Sequence, residues 1–266
     1  MKPAILTDLT KCAGCKACVW ACKEINGNSR DDGGVHLTAT TFTAVEQRAG
    51  LNVRRQCMHC NEPACASACP VGALYKSSAG PVLYDEDKCI GCRYCMIACQ
   101  FQIPTYEWSK QVPRVQKCIM CFDKKLSKGQ QPACTGACPT GATKFGDRDA
   151  LIKEAQERIA KSPGRYIDHI YGVKEAGGTS VLYLSSVPFA ELGFTPTEKS
   201  EAYPQLTWAV LSKLPNAVSV AAVGLGGLWW IFNRKDTLEK VRRGEITLDE
   251  AMGKTPSTSK KEGDRK

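Results

Sequence analysis

The chain has little of the side-chain chemistry that most enzymes use. Its 266 residues include three histidines, His36, His59 and His169. No serine–histidine–aspartate set, paired-carboxylate site or phosphate loop stands out. The GLGG at residues 224–227 lies inside an apolar run, so it is not a dinucleotide fingerprint. These absences favour a chain that is not catalytic by itself.

Cysteine, in contrast, is abundant, with 16 residues in four groups of four and none left over. Sixteen free thiols would be reactive in any compartment, so we expect them to be paired or bound to metal. Disulfide scaffolds are usually short secreted chains, whereas this chain is long and its cysteines are tightly clustered. The groups are Cys12, Cys15, Cys18 and Cys22; Cys57, Cys60, Cys65 and Cys69; Cys89, Cys92, Cys95 and Cys99; and Cys118, Cys121, Cys134 and Cys138.

The spacing within the groups indicates the metal. Groups one and three read C-x2-C-x2-C-x3-C, group two reads C-x2-C-x4-C-x3-C, and group four reads C-x2-C-x12-C-x3-C. The first spacing is that of bacterial ferredoxins, where three cysteines bind one [4Fe–4S] cluster and the fourth reaches another. Zinc sites usually combine two C-x2-C pairs separated by a longer gap. The spacing therefore predicts four [4Fe–4S] clusters, with zinc and disulfides as the alternatives.

Bound clusters would offset most of the positive net charge of the chain. The formal charge is +9, counted with neutral cysteines. Four [4Fe–4S]2+ clusters with their thiolates add about −8 and leave about +1, so we predict no nucleic-acid partner. Seven cations flank the predicted ligands, and they either compensate cluster charge or are ordinary solvated side chains. They are Lys11, Lys16, Lys23, Lys88, Arg93, Arg114 and Lys117.

An internal repeat indicates a duplicated two-cluster unit. Residues 8–18 match residues 85–95, and residues 63–76 match residues 132–145, so group one resembles group three and group two resembles group four. The β-like runs 73–76 and 81–84 predict a hairpin that joins groups two and three.

Groups one and four obtain the equivalent hairpin if their flanks, residues 4–9 and 142–145, pair across the chain. The crossed-ligand rule then predicts four sets. They are set 1 (Cys12, Cys15, Cys18 and Cys138), set 2 (Cys118, Cys121, Cys134 and Cys22), set 3 (Cys57, Cys60, Cys65 and Cys99) and set 4 (Cys89, Cys92, Cys95 and Cys69).

The remaining patterns complete the fold prediction. Residues 36–46 and 51–55 predict two strands, residues 149–161 a helix, residues 180–185 a short strand, and residues 189–204 irregular structure. The predicted class is α+β: two intertwined ferredoxin-like units and one C-terminal transmembrane helix. The predicted domains are a double ferredoxin-like domain at 1–150, a helix and extended linker region at 151–212, the transmembrane helix at 213–233, and a basic polar tail at 234–266.

The transmembrane prediction concerns residues 214–232, a run of 19 residues without a charge. Its length fits one membrane-spanning helix, with a buried core helix or an interfacial helix as alternatives. Trp229 and Trp230 lie where an aromatic belt is expected. Five cations follow the run closely, whereas Lys199 and Lys213 precede it. The positive-inside rule therefore predicts a cytoplasmic C-terminus and a cluster domain on the periplasmic side.

The first twelve residues contain neither an apolar signal region nor a twin-arginine motif. We therefore expect the chain to be exported together with a partner subunit that carries a signal.

The four cysteine groups together resemble the iron–sulfur subunits of molybdopterin oxidoreductase and hydrogenase complexes over nearly the whole chain. VEQ at residues 45–47, CMHC at 57–60, GGTSVLYL at 177–184 and the C-terminal run resemble the β subunit of respiratory formate dehydrogenase. The resemblance implies a relay of four [4Fe–4S] clusters. It would carry electrons from a molybdenum or tungsten catalytic subunit that oxidises formate to a membrane cytochrome b subunit that reduces quinone.

Two alternatives stay open. A membrane-bound hydrogenase would use the same relay, because the substrate does not touch this subunit. A catalytic radical enzyme would need a cluster with three cysteines and an open iron, and four complete groups leave none.

Overall fold

A computed structural model of the chain describes residues 2–30, 33–194 and 202–253. It divides into two units, Met1–Thr207 and Trp208–Lys266. The strands are β1 (Pro3–Asp8), β2 (Thr43–Arg48), β3 (Leu51–Gln56), β4 (Leu74–Lys76), β5 (Val82–Tyr84), β6 (Thr105–Tyr106), β7 (Val115–Gln116), β8 (Thr143–Asp147) and β9 (Val181–Leu184). The helices are α1 (Ala17–Asn26), α2 (Ala64–Ser67), α3 (Tyr94–Ala98), α4 (Ala133–Gly136), α5 (Arg148–Lys161), α6 (Tyr203–Leu211), α7 (Leu214–Arg242) and α8 (Leu248–Ala251).

The largest sheet has three strands in the order β8-β1-β9. β1 pairs antiparallel with β8, with Ile5 opposite Phe145, so the long-range pairing predicted from the two flanks is present. β9 joins the other edge of β1 in parallel, with Ile5 opposite Val181. All six residues of β1 are buried because the strand has a neighbour on each side and α5 packs against it.

The predicted hairpin between groups two and three is also present. β4 and β5 pair antiparallel, with Leu74 opposite Tyr84. The strand predicted at 36–46 is shorter, because β2 begins at Thr43 and pairs with β3. Before it, the Thr38 hydroxyl accepts a hydrogen bond from the Thr40 amide at 3.3 Å. Such local side-chain bonds compete with strand pairing, and only an isolated bridge joins Thr38 to Thr41.

The helix predicted at 149–161 is α5, which begins one residue earlier. Its N-cap Asp147 accepts a hydrogen bond from the Asp149 amide at 3.1 Å. Leu151 and Ala155 of this helix pack with Ala4 and Leu182 in a core beside the main sheet. Because β9 belongs to this sheet, residues 151–194 fold in one unit with the cysteine-rich residues before them.

The C-terminal part is more helical than predicted. Residues 195–201 lie outside the described residues, and α6 begins at Tyr203, so the irregular segment predicted up to 204 is wrong at its end. Pro204 is compatible with the first helical turn, where an amide has no helical partner.

The apolar run is helical as predicted, and α7 continues past residue 232 to Arg242. In the described residues one helical segment, Tyr203–Arg242, is long and apolar enough to cross a membrane, and none of its apolar window is buried. The predicted tail therefore begins as helix and continues with α8, which has a capping box between Thr247 and Glu250. Residues 254–266 lie outside the described residues.

Candidate iron–sulfur centres

The two ferredoxin-type groups are held by the same backbone turn. Gly14 and Gly91 have φ values of 71° and 70°, and the next but one residues, Lys16 and Arg93, are also left-handed at 57° and 64°. A side chain at Gly91 would place its Cβ 2.9 Å from the Pro113 carbonyl oxygen, so the turn requires glycine there. Each turn leads directly into a helix, α1 or α3, that carries the third cysteine of its group.

The other two groups use a second arrangement. Pro63 and Pro132 precede the single-turn helices α2 and α4. Each helix carries the third cysteine of its group, Cys65 or Cys134, and the fourth follows after the turn. The sequence repeat is thus a structural repeat of loops and short helices.

All sixteen cysteines are described and none is in a disulfide, so the disulfide alternative is wrong. Among the described residues, no three metal-binding side chains converge closely enough to hold one metal ion. Four thiolates around a [4Fe–4S] cluster each bind a different iron. They therefore lie further apart than the ligands of a single zinc ion.

The structure brings the members of predicted sets 1 and 2 together across the sequence. Burial raises the pKa of the Cys12 thiol, and the neighbouring charges of Cys138 and Cys15 raise it further. Burial likewise raises the pKa of Cys22 to about 12, with contributions from Cys134 and Cys121. Cys138 and Cys22, the ligands predicted to cross between the groups, thus each lie near cysteines of the set to which they are assigned.

Sets 3 and 4 have the same arrangement. Burial raises the pKa of Cys60 well above its usual value, and the neighbours that add to it are Cys57, Cys99 and Cys65. Burial raises the pKa of Cys95 to about 11, and the contributing neighbours are Cys69, Cys89 and Cys92. Crowded, buried thiols of this kind must lose their protons when they bind iron. The four ligand sets stay predictions.

Cysteines of different predicted sets are also close to one another. Burial raises the pKa of the Cys18 thiol of set 1, and the neighbouring charge of Cys134 of set 2 raises it further. In the same way, burial and the charge of Cys57 of set 3 raise the pKa of Cys118 of set 2. Burial and the charge of Cys95 of set 4 raise the pKa of Cys65 of set 3. The same three pairs of cysteines share buried clusters, so members of predicted sets 1 and 2, 2 and 3, and 3 and 4 are neighbours.

Comparison with known proteins identifies the family. Residues 49–148 match the model of the 4Fe-4S dicluster domain. A protein of Nitratidesulfovibrio vulgaris is 38% identical over 279 residues, which cover 98% of this chain and 74% of that protein. The hydrogenase-2 operon protein HybA of Escherichia coli O157:H7 is 37% identical over 233 residues, covering 71% of each chain. The formate dehydrogenase iron–sulfur subunit of Haemophilus influenzae is 37% identical over 251 residues, covering 85% of this chain and 77% of that protein.

The chain belongs to the family of iron–sulfur subunits that includes the formate dehydrogenase subunit and HybA. The prediction of iron–sulfur chemistry is confirmed, and the zinc alternative is set aside. The chain is an electron-transfer subunit of the formate dehydrogenase and hydrogenase type.

As an iron–sulfur subunit, the chain needs positive charge near its thiolates, and two of the seven flanking cations are buried. Lys23 is 1% exposed and Lys117 is 3% exposed. Lys117 Nζ donates hydrogen bonds to the carbonyl oxygens of Val82 at 2.6 Å and Cys118 at 3.0 Å. These two lysines are held inside the protein, whereas Lys11, Lys88 and Arg93 are exposed.

His59 is buried as well, although its sequence position between Cys57 and Cys60 would also suit a partly exposed loop residue. Its Nδ1 accepts a hydrogen bond from the Val82 amide at 3.1 Å, which places the ring proton on Nε2. Burial lowers the His59 pKa well below its usual value, and the charges of Lys117 and Lys76 lower it further. His59 is therefore a neutral donor between two predicted ligands, and its Nε2 has no partner among the described residues.

Sequence analysis missed one interior cation, Arg54. It is 1% exposed, whereas the side chain of the next residue, Arg55, is 21% exposed and pairs with Glu46 at 2.8 Å. Strand alternation places two consecutive arginines of β3 on opposite faces. Only the position of β3 against the cysteine loops decides which arginine points inward, and the sequence contains no signal for that.

Proposed function

We propose that this chain relays electrons through four [4Fe–4S] clusters. The donor is a molybdenum- or tungsten-pterin catalytic subunit that oxidises formate, and the acceptor is a membrane cytochrome b subunit that reduces quinone. The chain itself performs no catalysis. When bound, each cluster supplies one-electron redox chemistry, and the residues of this chain hold the clusters in sequence and exclude water.

The linear order of the cysteine sets carries this proposal. Electron transfer weakens steeply with distance, so a relay needs each site next to the following one. Cys134 beside Cys18, Cys57 beside Cys118 and Cys95 beside Cys65 supply three such junctions. The order leaves sets 1 and 4 as the two ends, where electrons enter and leave.

The surface near set 4 supports its role as a docking end. Within described residues 2–194, the large apolar side chains that are exposed all lie between residues 71 and 112, in the part of the chain that carries set 4. Ile97 is 86% exposed, Val112 71% and Trp108 70%. An apolar surface of this kind marks a protein interface. We infer that a partner subunit with its own redox centre covers it.

Hydrogen is the second candidate substrate of the complex. The HybA relative is as similar to this chain as the formate dehydrogenase relative, at 37% identity each. The relay is the same in both cases, because the substrate reacts on another subunit. Purification of the native complex, identification of its largest subunit and assay with formate and with hydrogen decide between them.

The relay itself is tested with iron analysis and a ligand variant of the purified complex. We expect roughly 16 iron atoms per chain, four for each set. Cys22→Ser should remove the cluster bound by Cys118, Cys121 and Cys134, and leave set 1 intact. Cys15→Ser is the matched control, because it belongs to the same cysteine group but to set 1. If Cys22→Ser damages set 1 instead, the ligand crossing is wrong.

We also propose that α7 anchors the chain in the membrane, with the cluster domain on the periplasmic side. The uncharged run of 19 residues is about 29 Å long at 1.5 Å per residue, close to the roughly 30 Å hydrocarbon core. Every described side chain from 214 to 232 is exposed, as expected of a helix that lipid or another helix covers. The basic residues after the run support a cytoplasmic C-terminus.

Truncation after residue 213 tests the anchor. The shortened chain keeps all sixteen cysteines, so its clusters should remain. Its attachment to the membrane subunit should weaken and quinone reduction should slow, while a soluble dye is still reduced at the catalytic end. A full rate of quinone reduction would contradict the role of α7. Cleavage of a C-terminal tag by a protease added on the periplasmic side would show that the orientation is the opposite of the proposed one.

A further inference from the structure

Arg54 is a fully buried guanidinium without an acidic partner. Its Nη2 donates to Gln56 Oε1 at 2.5 Å and its Nη1 to Thr7 Oγ1 at 3.4 Å. Its Nε has no hydrogen-bond partner among the described residues. None of the carboxylates in the described part of the chain forms an ion pair with it. Two neutral oxygen acceptors are therefore the only hydrogen-bond partners that the described residues provide for this charge.

A buried charge with only neutral partners is unfavourable unless another charge compensates it. Besides the Tyr183 hydroxyl, the groups that could carry negative charge near the Arg54 guanidinium are the thiols of Cys134, Cys18 and Cys118. Cys18 belongs to set 1, and the other two thiols belong to set 2. Packing agrees with this position, because the strand neighbour Val53 shares one buried cluster with Cys18 and Cys134. Arg54 thus lies at the junction between two neighbouring predicted clusters, on the face of β3 opposite to that of Arg55.

We propose that Arg54 is the shared countercharge of the clusters in sets 1 and 2, and that it holds their reduction potentials above the values that the same cysteines would give without it. The proposal rests on the proposed function, because both sets must bind clusters.

The direction of the effect follows from electrostatics. A cluster that gains an electron becomes more negative, so a fixed positive charge nearby stabilises its reduced form. The charge of the cluster and its surroundings are among the main determinants of its potential. The interaction is strong because the guanidinium is dehydrated and salt does not screen it. Arginine keeps its charge at every working pH, so the effect is constant. Because one charge serves two adjacent sites, it raises both potentials together.

Redox titration of the purified complex, followed by EPR, tests the proposal through cluster potentials. Each midpoint is first assigned with a single ligand variant of its set, Cys12→Ser, Cys22→Ser, Cys60→Ser or Cys92→Ser. In Arg54→Gln, we expect the midpoints of sets 1 and 2 to fall by at least 59 mV, a tenfold change in a one-electron equilibrium. The midpoints of sets 3 and 4 should shift less.

Two controls separate charge from structure. Arg54→Lys keeps the charge, so the midpoints of sets 1 and 2 should stay close to their wild-type values. Arg48→Gln removes an arginine from the neighbouring strand β2, where the side chain is 49% exposed and pairs with Glu46 at 3.1 Å. No midpoint should move in that variant. If a fully loaded Arg54→Gln complex keeps the wild-type midpoints of sets 1 and 2, the proposal is overturned.

A second variant decides the question if Arg54→Gln loses iron. Gln56→Glu keeps Arg54 and its hydrogen bond but neutralises the guanidinium with a carboxylate of nearly the same shape. The midpoints of sets 1 and 2 should again fall, and unchanged values overturn the proposal. Set 3 is not scored here, because residue 56 adjoins Cys57. A wild-type chain with fewer than four clusters would instead contradict the proposed function, so the two failures are distinguishable.

Discussion

Each copy of the internal repeat contributes one cysteine group to each of two regions, which resemble each other in cysteine spacing but differ in their surroundings. Region A contains sets 1 and 2 together with β1, β8, β9, α1, α4 and α5. Region B contains sets 3 and 4 together with β4–β7, α2 and α3. Region A has a three-stranded sheet with a fully buried central strand. Region B has two-stranded sheets whose strands are two or three residues long. Region B also contains the exposed apolar side chains described above.

The difference shows how a duplicated unit divides its tasks. After the repeat ends, α5 and β9 add a second layer and a third strand to region A only. Burial of their apolar side chains stabilises region A. Region B lacks such additions and leaves Ile97 and Trp108 exposed. Region A therefore contains most of the buried core, whereas region B leaves apolar surface that the proposed partner subunit would cover.

The largest expected effect is on stability. Leu151 of α5 is 2% exposed and packs with Leu6, Leu182 and Leu184 in region A. Leu151→Ala should lower the free energy of unfolding by about 2–5 kcal/mol, because it leaves a cavity. Hydrogen exchange of the β1 amides in the loaded chain measures this loss.

The matched change in region B is Ile97→Ala, at a side chain that is 86% exposed. It should alter stability by less than about 0.5 kcal/mol. Equal losses of protection in the two variants would contradict the division of tasks between the regions.

The next effect is on assembly. Ile97→Asp places a charge on the exposed apolar surface of region B, and burying it under a partner is unfavourable. We expect the dissociation constant for the partner subunit to rise about tenfold or more, which corresponds to a loss of ~1.4 kcal/mol in binding free energy. Gln130→Asp adds the same charge to an exposed position in region A and serves as the control. A complex equally stable in both variants, measured by co-purification over a concentration series, would show that region B is not the docking surface.

Local patterns predicted much of this structure. The serine-, alanine- and glycine-containing turn between residues 76 and 81 indicated the β4–β5 hairpin, and the repeat indicated the pairing of β1 with β8. The cysteine spacing indicated the cluster chemistry, because ligand geometry imposes it directly on the sequence.

Features that depend on tertiary packing were not predicted. The sequence of β9 indicates a strand, but its parallel position beside Ile5 depends on a long crossover that carries no local signal. Thr-rich residues before β2 have high strand propensity, yet local hydrogen bonds at Thr38 and Thr40 prevail. Arg54 looks like any surface arginine until β3 is placed against the cysteine loops.

The smallest expected effect concerns an ion-pair network at the edge of region A. Glu154 accepts hydrogen bonds from Lys144 and Arg158, both at 2.6 Å, and Arg158 also pairs with buried Asp8 at 3.0 Å. Burial alone would raise the pKa of Glu154, but the bonds to Lys144 and Arg158 lower it below its usual value. A carboxylate with a lowered pKa stabilises the fold above its unfolded pKa, and this contribution is lost as the pH falls through the folded pKa.

We expect Glu154→Gln to lower the free energy of unfolding at pH 7 by roughly 0.5–1 kcal/mol, because the variant loses two ion pairs. The loss stays small because the Glu154 side chain is 29% exposed and solvent screens its charge. The difference from wild type should shrink in high salt, and also on acidification below the usual glutamate pKa. Asp85→Asn in region B is the control: Asp85 pairs with an exposed Lys88 at 2.9 Å and is attached to no buried group, so no comparable loss is expected. Thermal unfolding at two salt concentrations measures both variants. If the loss in Glu154→Gln persists unchanged in high salt, the network acts through packing rather than charge, and the edge of region A is stabilised by its apolar core alone.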